Sequence, residues 1–176
     1  VLPIALALSC AWDPALVEAC ARTAAREAAA CGLNWVFSPM LDIGRDPRWG
    51  RIAEGAGEDP FLGARIAEAM VRGLQGEDLA DPESVLACIK HFIAYGAAQG
   101  GRDYNNADLS PQTLFEVYLP PFLAALEAGA GSAMMSFAAV NGIPSHADAA
   151  LLRLLDGVLK VSDFDAIPEM IAHGIG

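Results

Sequence analysis

The sequence predicts an α/β fold in which mainly parallel strands alternate with helices. Stretches with apolar residues at helical spacing are followed, repeatedly, by short apolar runs bounded by Gly, Pro or Asn. Three of the helical stretches open on a capping side chain and a proline: Asp13-Pro14, Asp59-Pro60 and Ser110-Pro111. Strands separated by helical segments mean βαβ units and a mainly parallel sheet. A chain of 176 residues, 54% hydrophobic, fits one domain and can bury a sizeable core.

The elements follow in order. The opening VLPIALALSCA is apolar but has no basic flank and runs straight into WDPAL, so it reads as part of the fold. The next stretch reads as a helix from Asp13 as N-cap to Gly32 as stop, with Leu16, Cys20 and Ala24 on one face. Asn34 to Ile43 is too short an apolar run for a helix and reads as a strand. GRDPRWGRIAEGAGEDP is loop, and a helix runs from Pro60 to about Gly73. Val85 to Gly96 reads as a second strand, followed by the polar loop AAQGGRDYNNAD. Ser110-Pro111 opens a helix that Pro120-Pro121 must break. SAMMSFAAV is a third strand, NGIPS a turn, HADAALLRLLD a short helix and GVLKVSD a fourth strand.

Charge and composition narrow the partners. A formal net charge of -11 with 11 Lys+Arg leaves no electrostatic footprint for nucleic acid or an anionic membrane surface. No run of about 18 apolar residues marks a transmembrane helix. Cys10, Cys20, Cys31 and Cys88 form no CxxC pair, and His91, His146 and His173 are scattered. That argues against a zinc site or disulfide framework and for buried free thiols acting as small apolar residues.

Unusual polar residues collect at expected strand ends: Asp42, then Lys90-His91, then Ser136 and Asn141, then Asp163. In α/β folds the carboxyl ends of parallel strands carry the site. RDPRWGR packs three arginines into one loop, where acids such as Asp46, Glu54 or Glu58 could pair them, or one guanidinium could fork onto vicinal hydroxyls. Lys90 and His91 are adjacent, so a regular strand would point them to opposite sides. For both to serve one site the backbone must be irregular there. Arg102 and Asp103 are placed to pair with each other. Asp163 has two readings: a site carboxylate at a strand end, or the N-cap of AIPEMI.

Four segments together resemble glycoside hydrolase family 3: NWVFSPMLDIGRDPRWGRIAEGAGEDPFLGARIAEAMVRGLQG, CIKHFIAYGAAQGGRDYNNADLS, YLPPFLAALEAGAGSAMMSFAAVNGIPSHAD and VSDF. The resemblance implies a partial or shortened (β/α)8 TIM-type barrel, with residues 1–176 forming a single, partial N-terminal barrel-like domain. It implies a retaining β-glycosidase acting on a β-linked glucoside or xyloside. Asp163 matches the nucleophile. Arg51, Lys90 and His91 match residues that hold hydroxyls of the sugar, and Phe137 matches an aromatic wall position. GGRDYNN resembles the two-domain β-glucosidase and β-xylosidase branch. The Asp-His loop pair of the single-domain N-acetylglucosaminidase branch is absent. No metal or organic cofactor is implied.

The sequence also departs from the family pattern. It begins after the first barrel segment, ends soon after SDF, and has a shortened approach to the last expected strand. The acid/base carboxyl is expected from a second domain or chain, and in-chain acids Glu54, Glu58, Asp103 and Glu169 are not ranked by spacing. The other reading is a catalytically silent sugar-binding or assembly fragment.

Overall fold

The structure is a computed structural model and describes residues 2–160. Its elements are α1 (Ala5–Ser9), α2 (Pro14–Ala30), β1 (Trp35–Val36), α3 (Pro60–Gln75), β2 (Leu86–Phe92), α4 (Pro111–Thr113), α5 (Pro120–Glu127), β3 (Ser132–Met135), β4 (Ala139–Val140), β5 (Ile143–Pro144) and α6 (Ala149–Lys160).

The helix starts are local chemistry. Asp13 accepts from the Leu16 amide at 3.1 Å, Asp59 from Leu62 at 2.7 Å, and Ser110 from Thr113 at 3.1 Å. Each cap satisfies a first-turn amide that has no partner within its helix, and the proline that follows lacks the amide that would need one. The break expected inside the helix opened by Ser110-Pro111 is also found. Pro120 and Pro121 cannot donate, and the chain widens into a π turn over Leu114–Tyr118, where the Leu119 amide reaches back to the Leu114 carbonyl at 3.0 Å.

Three parallel strands form a sheet in the order β1-β2-β3, the same as their order in the chain. β4 and β5 form a separate antiparallel hairpin. Helices α2, α3 and α5 pack side by side, with α3 and α5 against β2. Ala87 and Ile89 from the sheet, with Val85 just before it, join Val71, Leu119 and Phe122 from the helix layer in the main core. Phe122 meets Phe92 edge-on at 5.2 Å. Burying one such aromatic contributes about 1.5–3 kcal/mol.

Two close approaches fix this layer. A Cβ on Gly73 of α3 would lie 2.4 Å from the Glu18 carbonyl oxygen of α2, so only glycine permits the crossing. Buried Gln75 accepts from the amides of Ala87 at 3.2 Å and Gly131 at 3.0 Å and donates to Gly129 at 2.8 Å. It thereby ties the end of α3 to β2 and to the entrance of β3.

The strands are shorter than the apolar runs suggest. The run from Asn34 to Ile43 pairs as a ladder only at Trp35–Val36, with a lone bridge from Met40 to Lys90. Pro39 has no amide to give, and the Ser38-Pro39 bond is cis. The run from Val85 to Gly96 leaves the sheet after Phe92 and turns as a 3-10 segment over Tyr95–Ala97. SAMMSFAAV splits into β3 and β4, and Asn141 and Gly142, both at positive φ, make the hairpin turn.

The expected fourth strand is corrected over its described part. Residues 157–160 belong to α6, capped by Asp148 through Ala150 at 2.8 Å. Leu151, Leu154 and Leu155 recur at helical spacing, and that period overrides Gly157. Residues 161–163 of the same expectation lie outside the described residues.

Candidate active site

The polar strand ends do converge. Asp42 follows the bridge at Met40, Lys90 and His91 lie near the end of β2, and Ser136 follows β3. Asn141 does not join them: its side chain bonds the backbone of Leu109 in both directions, at 2.9 Å each, and supports the hairpin. Ser136 is buried and accepts from the Ala138 amide at 3.0 Å.

The irregularity expected at Lys90–His91 is present. Lys90 pairs with Met134 and Phe92 with Met135, so the register shifts across His91, and the Lys90-His91 and Phe92-Ile93 bonds are both cis. Alternation breaks with it. Ile89 and Phe92 both enter the helix-facing core, and His91, between them, meets Asp42 and Arg51 instead.

His91 is held at three atoms. Asp42 Oδ2 accepts from the His91 backbone amide at 3.1 Å and lies 2.8 Å from the ring Nδ1. On the other side of the ring, Arg51 Nη1 faces Nε2 at 3.5 Å. The Asp42 side chain is 0% exposed, and burial pushes its carboxyl above the usual carboxylate range, against the hydrogen bonds from His91 and the charge of Arg51. Its other oxygen, Oδ1, has no hydrogen-bond partner among the described residues.

Arg51 is positioned by Glu54, one 3-10 turn onward. Nε meets Oε1 at 2.7 Å and Nη2 meets Oε2 at 2.8 Å, the bidentate fork that guanidinium geometry favours. The Glu54 carboxyl is held below its usual value first by this bond, with the charges of Arg51 and Lys90 adding to it and partial burial opposing it. Lys90 is half-buried; its backbone bonds Pro39 and Leu41, and its side chain makes no hydrogen bond or ion pair to another described residue. Of the other loop arginines, Arg48 pairs with Asp46 at 2.7 Å and Arg45 reaches the Glu58 carbonyl at 3.5 Å. Arg48 also holds the Asp46 carboxyl down at about 2.

Aromatic rings floor this corner. Trp49, fully buried, meets Tyr95 edge-on at 5.3 Å, and Tyr95 meets the His91 ring at 4.9 Å. The Arg51 guanidinium stands 5.4 Å above the Tyr95 ring, within cation–π range. Tyr104 continues the series at 5.8 Å from Tyr95, and Phe137 lies 6.3 Å beyond, 72% exposed. Asp103 does not pair with Arg102 as expected. It accepts from the Trp49 indole at 2.9 Å, a partner 54 residues away that spacing could not disclose.

The sequence-expected residues therefore divide. Arg51, Lys90 and His91 are brought to one corner, Phe137 stands at the exposed end of the aromatic series, and Asp163 lies outside the described residues. Asp42, Glu54, Tyr95 and Tyr104 complete the corner. A cavity of about 40 Å³ borders Asp42 and Glu54. That is far below the ~300 Å³ of a ligand pocket, so this void does not itself hold a ligand; of the basic residues beside it, Arg51 and Lys90 are half-buried and His91 is 6% exposed.

Comparison with known proteins matches residues 1–166 to the glycosyl hydrolase family 3 N terminal domain. The chain is 45% identical over 180 residues to the periplasmic beta-glucosidase of Salmonella typhimurium, covering 99% of this chain and 24% of that protein. It is 43% identical over 157 residues to a beta-xylosidase of Formosa agariphila, covering 87% of this chain and 22% of the relative. In structure it resembles the beta-glucosidase of Listeria innocua, with a TM-score of 0.89, 45% identity, and coverage of 100% of this chain and 26% of the other. The same enzyme in complex with glucose matches with a TM-score of 0.88 and 44% identity. The chain thus spans about a quarter of the length of these relatives.

Proposed function

The chain belongs to glycosyl hydrolase family 3, and from that premise we infer that it forms the sugar-holding part of a retaining β-glycosidase acting on β-linked glucose or xylose. The names of its relatives, beta-glucosidase and beta-xylosidase, support the substrate class. Residues 1–176 act as a single, partial barrel-like domain. A sheet whose strand order follows the chain, with its helices in one adjoining layer, supports a segment of a (β/α)8 barrel over a doubly wound sheet.

In this reading Arg51, Lys90 and His91 hold ring hydroxyls and Phe137 forms an aromatic wall. The carboxylate of Asp163 attacks the anomeric carbon, and the leaving oxygen departs with a proton from a second carboxyl about 5–5.5 Å from it. Water then cleaves the glycosyl-Asp ester, and Asp163 regains its charge. The second carboxyl is supplied by another domain or chain. Hydrogen bonds that tighten as the sugar flattens lower the barrier further.

One observation carries the reading. Arg51 and His91, 40 positions apart, meet within 3.5 Å beside Lys90 at the carboxyl ends of parallel strands. The test is hydrolysis of aryl β-glucosides and aryl β-xylosides by the full-length protein. Turnover with retention of anomeric configuration is expected, and inversion or no turnover of either contradicts the reading.

A further inference from the structure

Asp42 is fully buried, and a strand end does not need a carboxylate. One oxygen, Oδ2, takes both the backbone amide and the ring nitrogen Nδ1 of His91, at 3.1 and 2.8 Å. Because Oδ2 accepts the amide, any proton on Asp42 would sit on Oδ1, so Oδ2 remains an acceptor in either protonation state. Arg51 can only donate, and its Nη1 faces Nε2 at 3.5 Å. Asp42 therefore requires a proton on Nδ1 and Arg51 a lone pair on Nε2, and the neutral Nδ1–H ring alone meets both. At 3.5 Å the Arg51 contact is at the limit of a hydrogen bond, so that lone pair is only weakly engaged, and a better donor reaching the 6%-exposed ring would displace Arg51.

We propose that Asp42 is a positioning residue that locks His91 in the Nδ1–H tautomer, so that His91 serves the sugar as a hydrogen-bond acceptor beside the donors Lys90 and Arg51. This rests on the sugar-holding reading above and deepens it. Two of the three clamps can only give protons. The third, fixed by Asp42, takes one. The hydroxyl over His91 must then donate, while hydroxyls over Lys90 and Arg51 accept. Fluorine cannot donate a hydrogen bond but can weakly accept one, so replacing each hydroxyl by hydrogen or by fluorine distinguishes the two situations.

The test uses the full-length protein with nitrogen-15 histidine. The His91 shifts should show a protonated Nδ1 and a bare Nε2. Asp42→Asn, which keeps an acceptor oxygen, should preserve that signature, and Asp42→Leu should lose it. In parallel, inhibition is measured with glucose and with its deoxy and deoxyfluoro analogues at each ring hydroxyl. At one position both replacements should weaken binding by the same factor, about 10-fold, and Asp42→Leu should shrink that penalty. A proton on Nε2 in the wild type, a doubly protonated ring at neutral pH, or fluoro analogues that outbind the deoxy ones at every position overturns the proposal. The wild-type shifts and the Asn variant decide the tautomer even if the Leu variant does not fold. Failure of glucose and all analogues to bind would overturn the sugar reading itself, separately from the tautomer.

Discussion

Arg51 grips Glu54 with two of its three nitrogens, Nε to Oε1 at 2.7 Å and Nη2 to Oε2 at 2.8 Å, and turns the third toward His91. The fork leaves one guanidinium edge for a ligand and fixes its direction. A surface ion pair is worth little to stability, and this Glu54 side chain is 45% exposed. Its consequence is aim rather than stability.

Glu54 holds this fork as a carboxylate, kept ionised first by its bond to Arg51. Its folded carboxyl lies below the ordinary 4.5, so its contribution is present above that value and is lost as pH falls through the lowered folded value. Glu54→Gln should weaken inhibition by glucose at neutral pH, by roughly 10-fold if the aim of Arg51 is lost. The gap to wild type should close only in acid, well below about pH 5. A gap that persists unchanged into acid would show that charge on Glu54 does not aim Arg51.

The Lys90 ammonium stands near Glu54 without a hydrogen bond or ion pair to a described residue, which leaves its donors for a ligand. Lys90→Ala should lower kcat/KM for an aryl β-glucoside by about 10- to 100-fold, the range for a hydrogen bond from a charged group. The melting temperature should hardly change, because no bond within the described structure is broken. A large drop in melting temperature with kcat/KM intact would reverse the assignment.

Gly96 is where the RDPRWGR loop rests on the chain leaving β2. A Cβ there would lie 2.3 Å from the Ile43 carbonyl oxygen and 3.1 Å from the Trp49 ring. Gly96→Ala must push this loop outward, and Arg51 moves with it. Stability should fall by about 1–3 kcal/mol, as overpacked sites do, and sugar binding should weaken in the folded fraction. Wild-type melting together with wild-type binding would contradict the close approach.

What could be read in advance followed the range of the signal. The caps at Asp13, Asp59 and Ser110 act over three residues and are visible in any short window. The break at Pro120 is equally local. Strand ends depend on a partner strand far away in sequence, which is why the runs at Asn34 and Val85 read too long. The apolar residues before Asp163 suit a strand or a helix face, and α6 takes residues 157–160 by helical period.

The site shows the same division. Two adjacent polar residues in an apolar strand announced an irregular backbone at Lys90–His91, and the register shift is there. Asp42 was visible as an acid ending a strand, but its bond to His91 spans 49 positions and left no local mark. Glu54 stood three residues from Arg51 among several acids of equal claim, and only the fold chooses it over Glu58. Trp49 and Asp103 meet across 54 positions for the same reason.

The most direct measurement traps the covalent intermediate. The full-length protein is incubated with an activated 2-deoxy-2-fluoro β-glucoside, digested, and mapped by mass spectrometry. The account predicts one fluoroglucosyl ester, on Asp163, and none in Asp163→Asn, which should also lose turnover of an aryl β-glucoside. An ester on a different carboxylate, or an Asp163→Asn enzyme with full activity, would contradict it.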